Sequence, residues 1–356
     1  METVPGQATT FPWSWYTDDA ILRLEQERIF RRSWQYAGHT GEVAEPGSYF
    51  TCAAGHVPVV VTRDRSGSLN AFVNVCRHRG HPVAAGAGRR ESLQCAYHAW
   101  TYGLDGALRA APRSDREPEF DRSQLGLRQV QVDTWGPFVF VNPDLEAPPL
   151  GETLRGLPDL VASAGFDVET LHFRHRAAFE LEANWKVVCE NFLECYHCQV
   201  AHPQLAEMLD VSADAYALST DGRLSSQRGP TREGGGTTMH LDGELPRSQF
   251  HFLWPNLGVN IFPGRPNISI GPMIPLTPDR TYRFLDYFFG GDVDQAWIDE
   301  LMAFDDQVGK EDRVLVEGVH LGIASGGLEH GWLMGRSEQL IGHFQQLTRE
   351  ALSVPR

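Results

Sequence analysis

Apolar residues change their spacing several times along the chain, and each change marks a different kind of element. Near the start, Ile21, Leu22, Leu24, Ile29 and Phe30 follow Thr17-Asp18-Asp19, an N-cap with acidic residues in the first turn. This predicts an amphipathic helix ending near Trp34. From Gly47 to about Val141 the pattern becomes short β-rich runs, "SYFTCA", "VPVVVT", "NAFVNVC", "LQCAYHAWTY" and "GPFVFVN", separated by "DRSGS", "GLDG" and proline-containing turns. That texture predicts a small antiparallel β domain. The proline-rich residues 142–160 read as a connector. Beyond them come a strand-like "LHFRHRAAFELE", a helical pattern over 185–199, and strands near "LGVNIF", "NISIGPMI" and "TYRFLDYFF". Helical patterns return over 293–319 and 328–352. The second part is therefore a sheet with helices grouped at its end, and the fold class is α+β. No repeat, heptad or low-complexity tract interrupts it.

Composition adds limits. With 356 residues, 42% of them hydrophobic, the chain can bury two cores. A formal net charge of -15 repels phosphate backbones and anionic lipid surfaces, so nucleic acid and membranes are poor partners. The first twenty residues lack the basic region and apolar run of a signal peptide, and no apolar stretch approaches the ~20 residues of a membrane span. A cytoplasmic location is expected. Six cysteines in so long a chain do not make a disulfide scaffold; in a reducing compartment, clustered Cys and His point to metal.

The stretch 74–103, "NVCRHRGHPVAAGAGRRESLQCAYHAWTYG", contains Cys76-x-His78 and Cys95-x-x-His98. A structural zinc clip can use any four such ligands. Against it, the side chains of a Cys-x-His pair on an extended loop point apart more readily than they converge on one ion. Two irons offer separate corners: each loop can give its Cys to one iron and its His to the other, as in a [2Fe-2S] centre with two His replacing two Cys. Here the chain resembles the Rieske family, with "CRHRGH" and "CAYHAWTYGLDGAL" matching its two cluster loops, and Arg79, Gly80, Tyr97, Trp100 and Gly106 in family-like places. The family often has Pro after the second Cys and Gly after the second His; this chain has Ala96 and Ala99. His81 reads as a loop residue with no metal role. Neutral imidazoles in place of thiolates reduce the cluster's negative charge and raise its potential to roughly -150 to +300 mV, within reach of a ferredoxin or flavin reductase.

A second constellation lies in residues 183–205, "ANWKVVCENFLECYHCQVAHPQL", with Glu190, Asn191, Glu194, His197 and His202. His197 and His202 would face some 140° apart on an unbroken helix. They converge only if the helix ends between them, which Pro203 favours by pushing the preceding residue out of the α region. Two His and a carboxylate with open positions form the facial triad of non-haem Fe(II) oxygenases. Surface or packing roles, or a zinc site through Cys195 and Cys198, are the competing readings. The segment resembles the catalytic motif of Rieske oxygenase α subunits, "NWK…EN…(D/E)-x-x-H-x-x-x-x-H". That resemblance implies His197 and His202 as iron ligands, Glu194 as the acid bridging to the cluster, and Asn191 as part of the catalytic set. It also implies Asp312 of "KEDRVLVEGVH" as the third ligand, although Asp305, Asp306 and Glu311 would equally suit an exposed acidic helix face.

The resemblance covers nearly the whole chain. It implies a Rieske domain over 34–158 and a helix-grip catalytic domain over 159–356, to which an N-terminal helix within 1–33 belongs. It further implies a head-to-tail homotrimer in which Glu194 links an iron-ligand His to His98 of the neighbouring subunit. The expected cofactors are a [2Fe-2S] cluster and mononuclear Fe(II). Expected partners are O2, a small organic substrate, and a ferredoxin or flavin reductase drawing on NAD(P)H. "ECYHC" looks like the pattern of oxygenases acting on quaternary ammonium compounds, whose cation would be held on aromatic faces. Tyr196, Tyr216, Trp254, Phe262 and Trp332 are candidates for that contact. Hydroxylation or O-demethylation of an aromatic ring is the alternative substrate reading, and a Rieske electron carrier without oxygenase activity is the alternative of another class.

Overall fold

A computed structural model describes residues 9–232, 241 and 243–353. The chain forms two compact units, one from Phe30 to Thr153 and the other from the residues on either side. Both boundaries fall a few residues before the expected 33/34 and 158/159. Residues 1–8 and 354–356, the ends of the expected N-terminal and catalytic portions, lie outside the described residues.

Among the described residues, the Phe30–Thr153 unit has a seven-stranded sheet. Its order is Gln35–His39, Phe138–Asn142, Gln129–Trp135, Leu69–Val73, Val57–Arg63, Ser48–Ala54, Ala87–Arg89, and its pairings are antiparallel. The run "VPVVVT" is continuously apolar because both of its faces are covered. Val59 and Val61 pack with Val43, Phe50 and Val139, whereas Val60, pointing the other way, packs with Tyr49, Phe72 and Tyr102. Cys76 and Cys95 belong to this second cluster. The run "LQCAYHAWTY" is not one strand. It splits into Leu93–Gln94 and Thr101–Tyr102, which pair with each other and then with Leu108–Ala110, and a tight loop carries Cys95 and His98 between them.

In the other unit, the described residues also form a seven-stranded antiparallel sheet. Its order is Leu171–Leu181, Arg280–Gly290, Asn267–Thr277, Leu257–Ile261, Arg247–Leu253, Leu224–Pro230, Ala217–Asp221. Gly271 allows two of these strands to approach closely: a Cβ there would lie 1.7 Å from the Phe284 carbonyl oxygen. Helix Asp19–Arg28 belongs to this unit, and the Asp18 carboxylate caps it by accepting from Ala20 N at 2.7 Å. It docks through Glu25, whose carboxylate accepts from Trp185 Nε1 at 2.7 Å and Lys186 Nζ at 2.6 Å. All three side chains are fully buried, and the tryptophan bond fills a lone pair that the ion pair leaves open.

The helix expected over 185–199 stops at Phe192. A turn follows, then the short helices Cys198–Ala201 and Pro203–Met208. The cause is local: the Glu194 carboxylate accepts from the backbone N–H groups of Tyr196 and His197, replacing helical partners. The last helix begins at Gln339 rather than near 328, because Gly326, Gly327, Gly331 and Gly335 weaken helix formation before it. Between them runs the long helix Gln295–Ala324, which carries Glu311 and Asp312.

Candidate metal centres

In the Phe30–Thr153 unit, the two Cys/His loops face each other. Cys76 and Cys95 are buried, while the His78 and His98 rings lie at the surface with centroids 4.5 Å apart. Tyr102 reaches between the loops: its hydroxyl lies 3.3 Å from Cys76 Sγ and accepts from Arg77 N at 3.0 Å. Trp100 stacks on His78 at 5.0 Å, which fixes the plane of that imidazole. The second loop closes on itself, with Cys95 N donating to Trp100 O at 2.9 Å and Ala99 N to Cys95 O at 3.0 Å. His81 turns away, its Nδ1 2.7 Å from Pro82 O. The paired imidazoles at the rim and paired thiols beneath suit a cluster with two distinct irons.

In the other unit, His197, His202 and Asp312 meet, with one ligand atom from each inside a mutual distance of 4.8 Å. Among the described residues this is the group of three or more such side chains that could hold a single ion. The helix break at His202 makes it possible: His202 sits at φ -120° and ψ 74° ahead of Pro203, which turns its ring back toward His197. The two Nε2 atoms are 3.1 Å apart, and Asp312 Oδ1 lies 3.1 Å from His202 Nε2 and 3.5 Å from His197 Nε2. Two imidazole lone pairs and a carboxylate oxygen converge so closely only around positive charge, supplied by protons or a metal ion.

Each imidazole is oriented from its other nitrogen. His197 Nδ1 donates to Glu194, and His202 Nδ1 lies 2.8 Å from Glu311 Oε2, leaving both Nε2 atoms for the ion. The role of Glu311 in orienting His202 does not follow from the sequence, where it reads only as part of an acidic helix face. The acids that looked equivalent on this helix have separate partners: Asp305 accepts from Tyr287 Oη at 2.6 Å, and Asp306 pairs with Lys310 at 2.6 Å. Burial works against a charged His197, but bonds from Asp312 and Glu194 outweigh it and hold the ring up at about 9. Burial likewise opposes a charged Asp312, yet His197 and His202 keep its carboxyl well below the usual range. A dication bound here would displace those protons. Cys195 and Cys198 are disulfide-bonded to each other across the turn, with Cα atoms 4.9 Å apart, so they do not form a zinc site.

Residues 33–131 match the Rieske [2Fe-2S] domain, and residues 168–353 match the ring hydroxylating alpha subunit catalytic domain. The chain belongs to the Rieske non-haem iron oxygenases. Its cofactors are the Rieske [2Fe-2S] cluster and a mononuclear iron, and oxygenases of this type use dioxygen with electrons from a reductase or ferredoxin. The chain is 34% identical to the chloroplastic choline monooxygenase of Beta vulgaris, over 99% of this chain and 79% of that one. It is 32% identical to the carnitine monooxygenase oxygenase subunit of Acinetobacter baumannii, over 97% and 95%. A crystal structure of the quaternary ammonium Rieske monooxygenase CntA superposes with a TM-score of 0.88 at 31% identity, covering 98% of this chain and 97% of that one.

The oxygenase's three candidate iron ligands open onto a cavity of about 90 Å³, which Asn191 and Glu194 also line. Of the aromatic residues singled out from sequence, Tyr216 and Phe262 line it. The others do not: Trp254 is buried elsewhere with its Nε1 3.2 Å from Thr348 Oγ1, Tyr196 lies on a separate surface depression, and Trp332 is exposed. Phe192 and Phe250 complete the aromatic wall and were missed, since nothing in their local sequence distinguishes them from core residues. Among the described residues, no helix is long and apolar enough to cross a membrane.

Proposed function

We propose that this oxygenase oxidises a methyl or methylene group of a small quaternary ammonium compound, leading to demethylation or C–N cleavage. The observation that carries the reading is the aromatic cavity, where Tyr216, Phe250 and Phe262 stand beside His197, His202 and Asp312. Aromatic faces attract a cation that has no N–H to donate, and a desolvated site strengthens that attraction. Relatives named for choline and carnitine, and CntA crystals containing L-carnitine or gamma-butyrobetaine as substrate, support the same class.

In this reading, His197, His202 and Asp312 hold the mononuclear iron on one face, with Glu194 and Glu311 fixing the two imidazoles. Cys76 and Cys95 hold one cluster iron, and His78 and His98 the other. When bound, the iron supplies the site of dioxygen activation and the cluster supplies an electron. Asn191 lines the cavity beside the iron ligands. Glu194 holds His197 Nδ1 within its own chain and is assigned the link to His98 of the partner subunit in a head-to-tail trimer. A solved structure of a quaternary ammonium Rieske monooxygenase has given insights into inter-subunit electron transfer in that enzyme, which supports such an assembly. A ferredoxin or flavin reductase drawing on NAD(P)H, in the cytoplasm, completes the scheme.

Oxygen uptake by the holoenzyme and its reductase tests this reading, using glycine betaine, stachydrine, carnitine and choline against a matched set of aromatic acids. Uptake matched mole for mole by loss of at least one ammonium compound is expected. Coupled consumption of an aromatic acid alone would replace this reading with ring hydroxylation or O-demethylation.

A further inference from the structure

Two buried polar atoms on residues lining the oxygenase cavity lack a hydrogen-bond partner within the protein: Nε of Arg283, a donor, and Oε1 of Gln227, an acceptor. They sit on strands Arg280–Gly290 and Leu224–Pro230. The orientation of Gln227 is fixed at its other end, where Nε2 donates to the Phe192 carbonyl oxygen at 2.6 Å. The Arg283 guanidinium lies against the Phe192 ring, its central carbon 5.9 Å from the centroid. Among the described residues it has no carboxylate within ion-pairing distance. Its charge acts on Asp305, which is engaged by Tyr287 Oη.

A guanidinium whose buried Nε has no acceptor is a costly feature unless a ligand completes it. A simple cation would meet like charge at Arg283. An aromatic hydrocarbon would leave both polar atoms unpaired. A carboxylate has the planar, two-oxygen geometry that a guanidinium fork recognises. The acceptor at Gln227, the acid Glu194 and the aromatic faces of Tyr216, Phe250 and Phe262 suit positive charge instead. Apart from the iron ligands, the cavity thus offers one cationic side chain, Arg283, among anionic and π-rich ones, the complement of a molecule that carries both signs.

Resting on the quaternary ammonium reading above, we infer that the substrate is a zwitterion, and that Arg283 anchors its carboxylate while the ammonium end lies against the aromatic wall. Arg283 is a specificity-determining residue: it selects ammonium carboxylates over ammonium alcohols, amides and aromatic hydrocarbons.

Calorimetric titration of the holoenzyme tests this with trimethylammonium carboxylates of one to three carbon spacing, their isosteric carboxamides, and choline. For at least one spacing, the wild-type protein is expected to bind the carboxylate about tenfold or more tightly than the carboxamide. Arg283→Gln should remove about that factor for the carboxylate and leave carboxamide binding within about twofold. Arg283→Lys, which keeps the charge but loses the fork, should fall between. Carboxamides or choline binding as tightly as carboxylates to the wild-type protein would overturn the inference, whatever the variants do, and would leave the ammonium reading standing. Equal losses for carboxylate and carboxamide in Arg283→Gln would also overturn it. If no ammonium compound binds, the ammonium reading fails and this inference fails with it.

Discussion

Ala99 shows how closely a single residue can follow from the sequence and still hold a surprise. It stands where related cluster loops often have glycine, and its backbone takes φ 57°, the left-handed region that a Cβ disfavours. The loop needs that conformation because Cys95 must turn back within four residues to receive the Ala99 N–H. Ala99→Gly should therefore stabilise the loop by roughly 0.5–1 kcal/mol, and Ala99→Val should destabilise it by at least as much. Denaturant-induced loss of the cluster's visible absorbance measures both; equal midpoints for the two variants would show that the strain does not matter. Ligand residues were legible because metal chemistry restricts both residue type and spacing: Cys76, His78, Cys95 and His98 announce themselves in pairs. Glu311 and Arg283 were not legible. Glu311 acts on an imidazole 109 positions away, and Arg283 looks like any charged residue in a strand until the fold buries its Nε beside a cavity.

Helix Trp185–Phe192 ties the catalytic unit together at the next scale. Besides the Glu25 contacts at its start, Glu190 near its end accepts from Tyr16 Oη at 2.9 and 3.0 Å and from Gln345 Nε2 at 2.8 Å. It thus joins the N-terminal residues to the final helix. Burial raises the Glu190 carboxyl from an ordinary 4.5 to about 7, while the Gln345 and Tyr16 bonds pull the other way. Between those values the folded chain keeps a proton that the unfolded chain has released, so this group's contribution to stability falls as pH rises from about 4.5 through about 7. Glu190→Gln cannot titrate. Its stability relative to wild type, from urea unfolding, should rise by on the order of 2 kcal/mol between about pH 5 and about pH 8. A difference that stays flat across that window would contradict the assignment. Elements with strong apolar patterns were readable, as in Val57–Arg63 and Arg280–Gly290. Leu224–Pro230 was not, because its sequence "LSSQRGP" is polar although largely buried. Its serines are satisfied by distant histidines, Ser225 at 2.9 Å from His343 Nδ1 and Ser226 at 2.9 Å from His251 Nδ1, contacts that exist only in the folded sheet.

At the scale of the whole molecule, the order of the two units was visible because each carries its own metal motif and its own apolar texture. The disulfide between Cys195 and Cys198 and the aromatic wall of the cavity were not, since both depend on where the chain turns after Phe192. The central claim is that one chain holds two chemically separate iron centres, cradled by different loops. Combined iron and acid-labile sulfide analysis of anaerobically purified protein tests it most directly, applied to wild type and to His197→Ala. The wild type should contain about three irons and two sulfides per chain, and the variant about two of each with an unchanged paramagnetic signal from the reduced cluster. A wild type with no iron beyond the cluster, or a variant that loses sulfide together with its iron, would contradict the account.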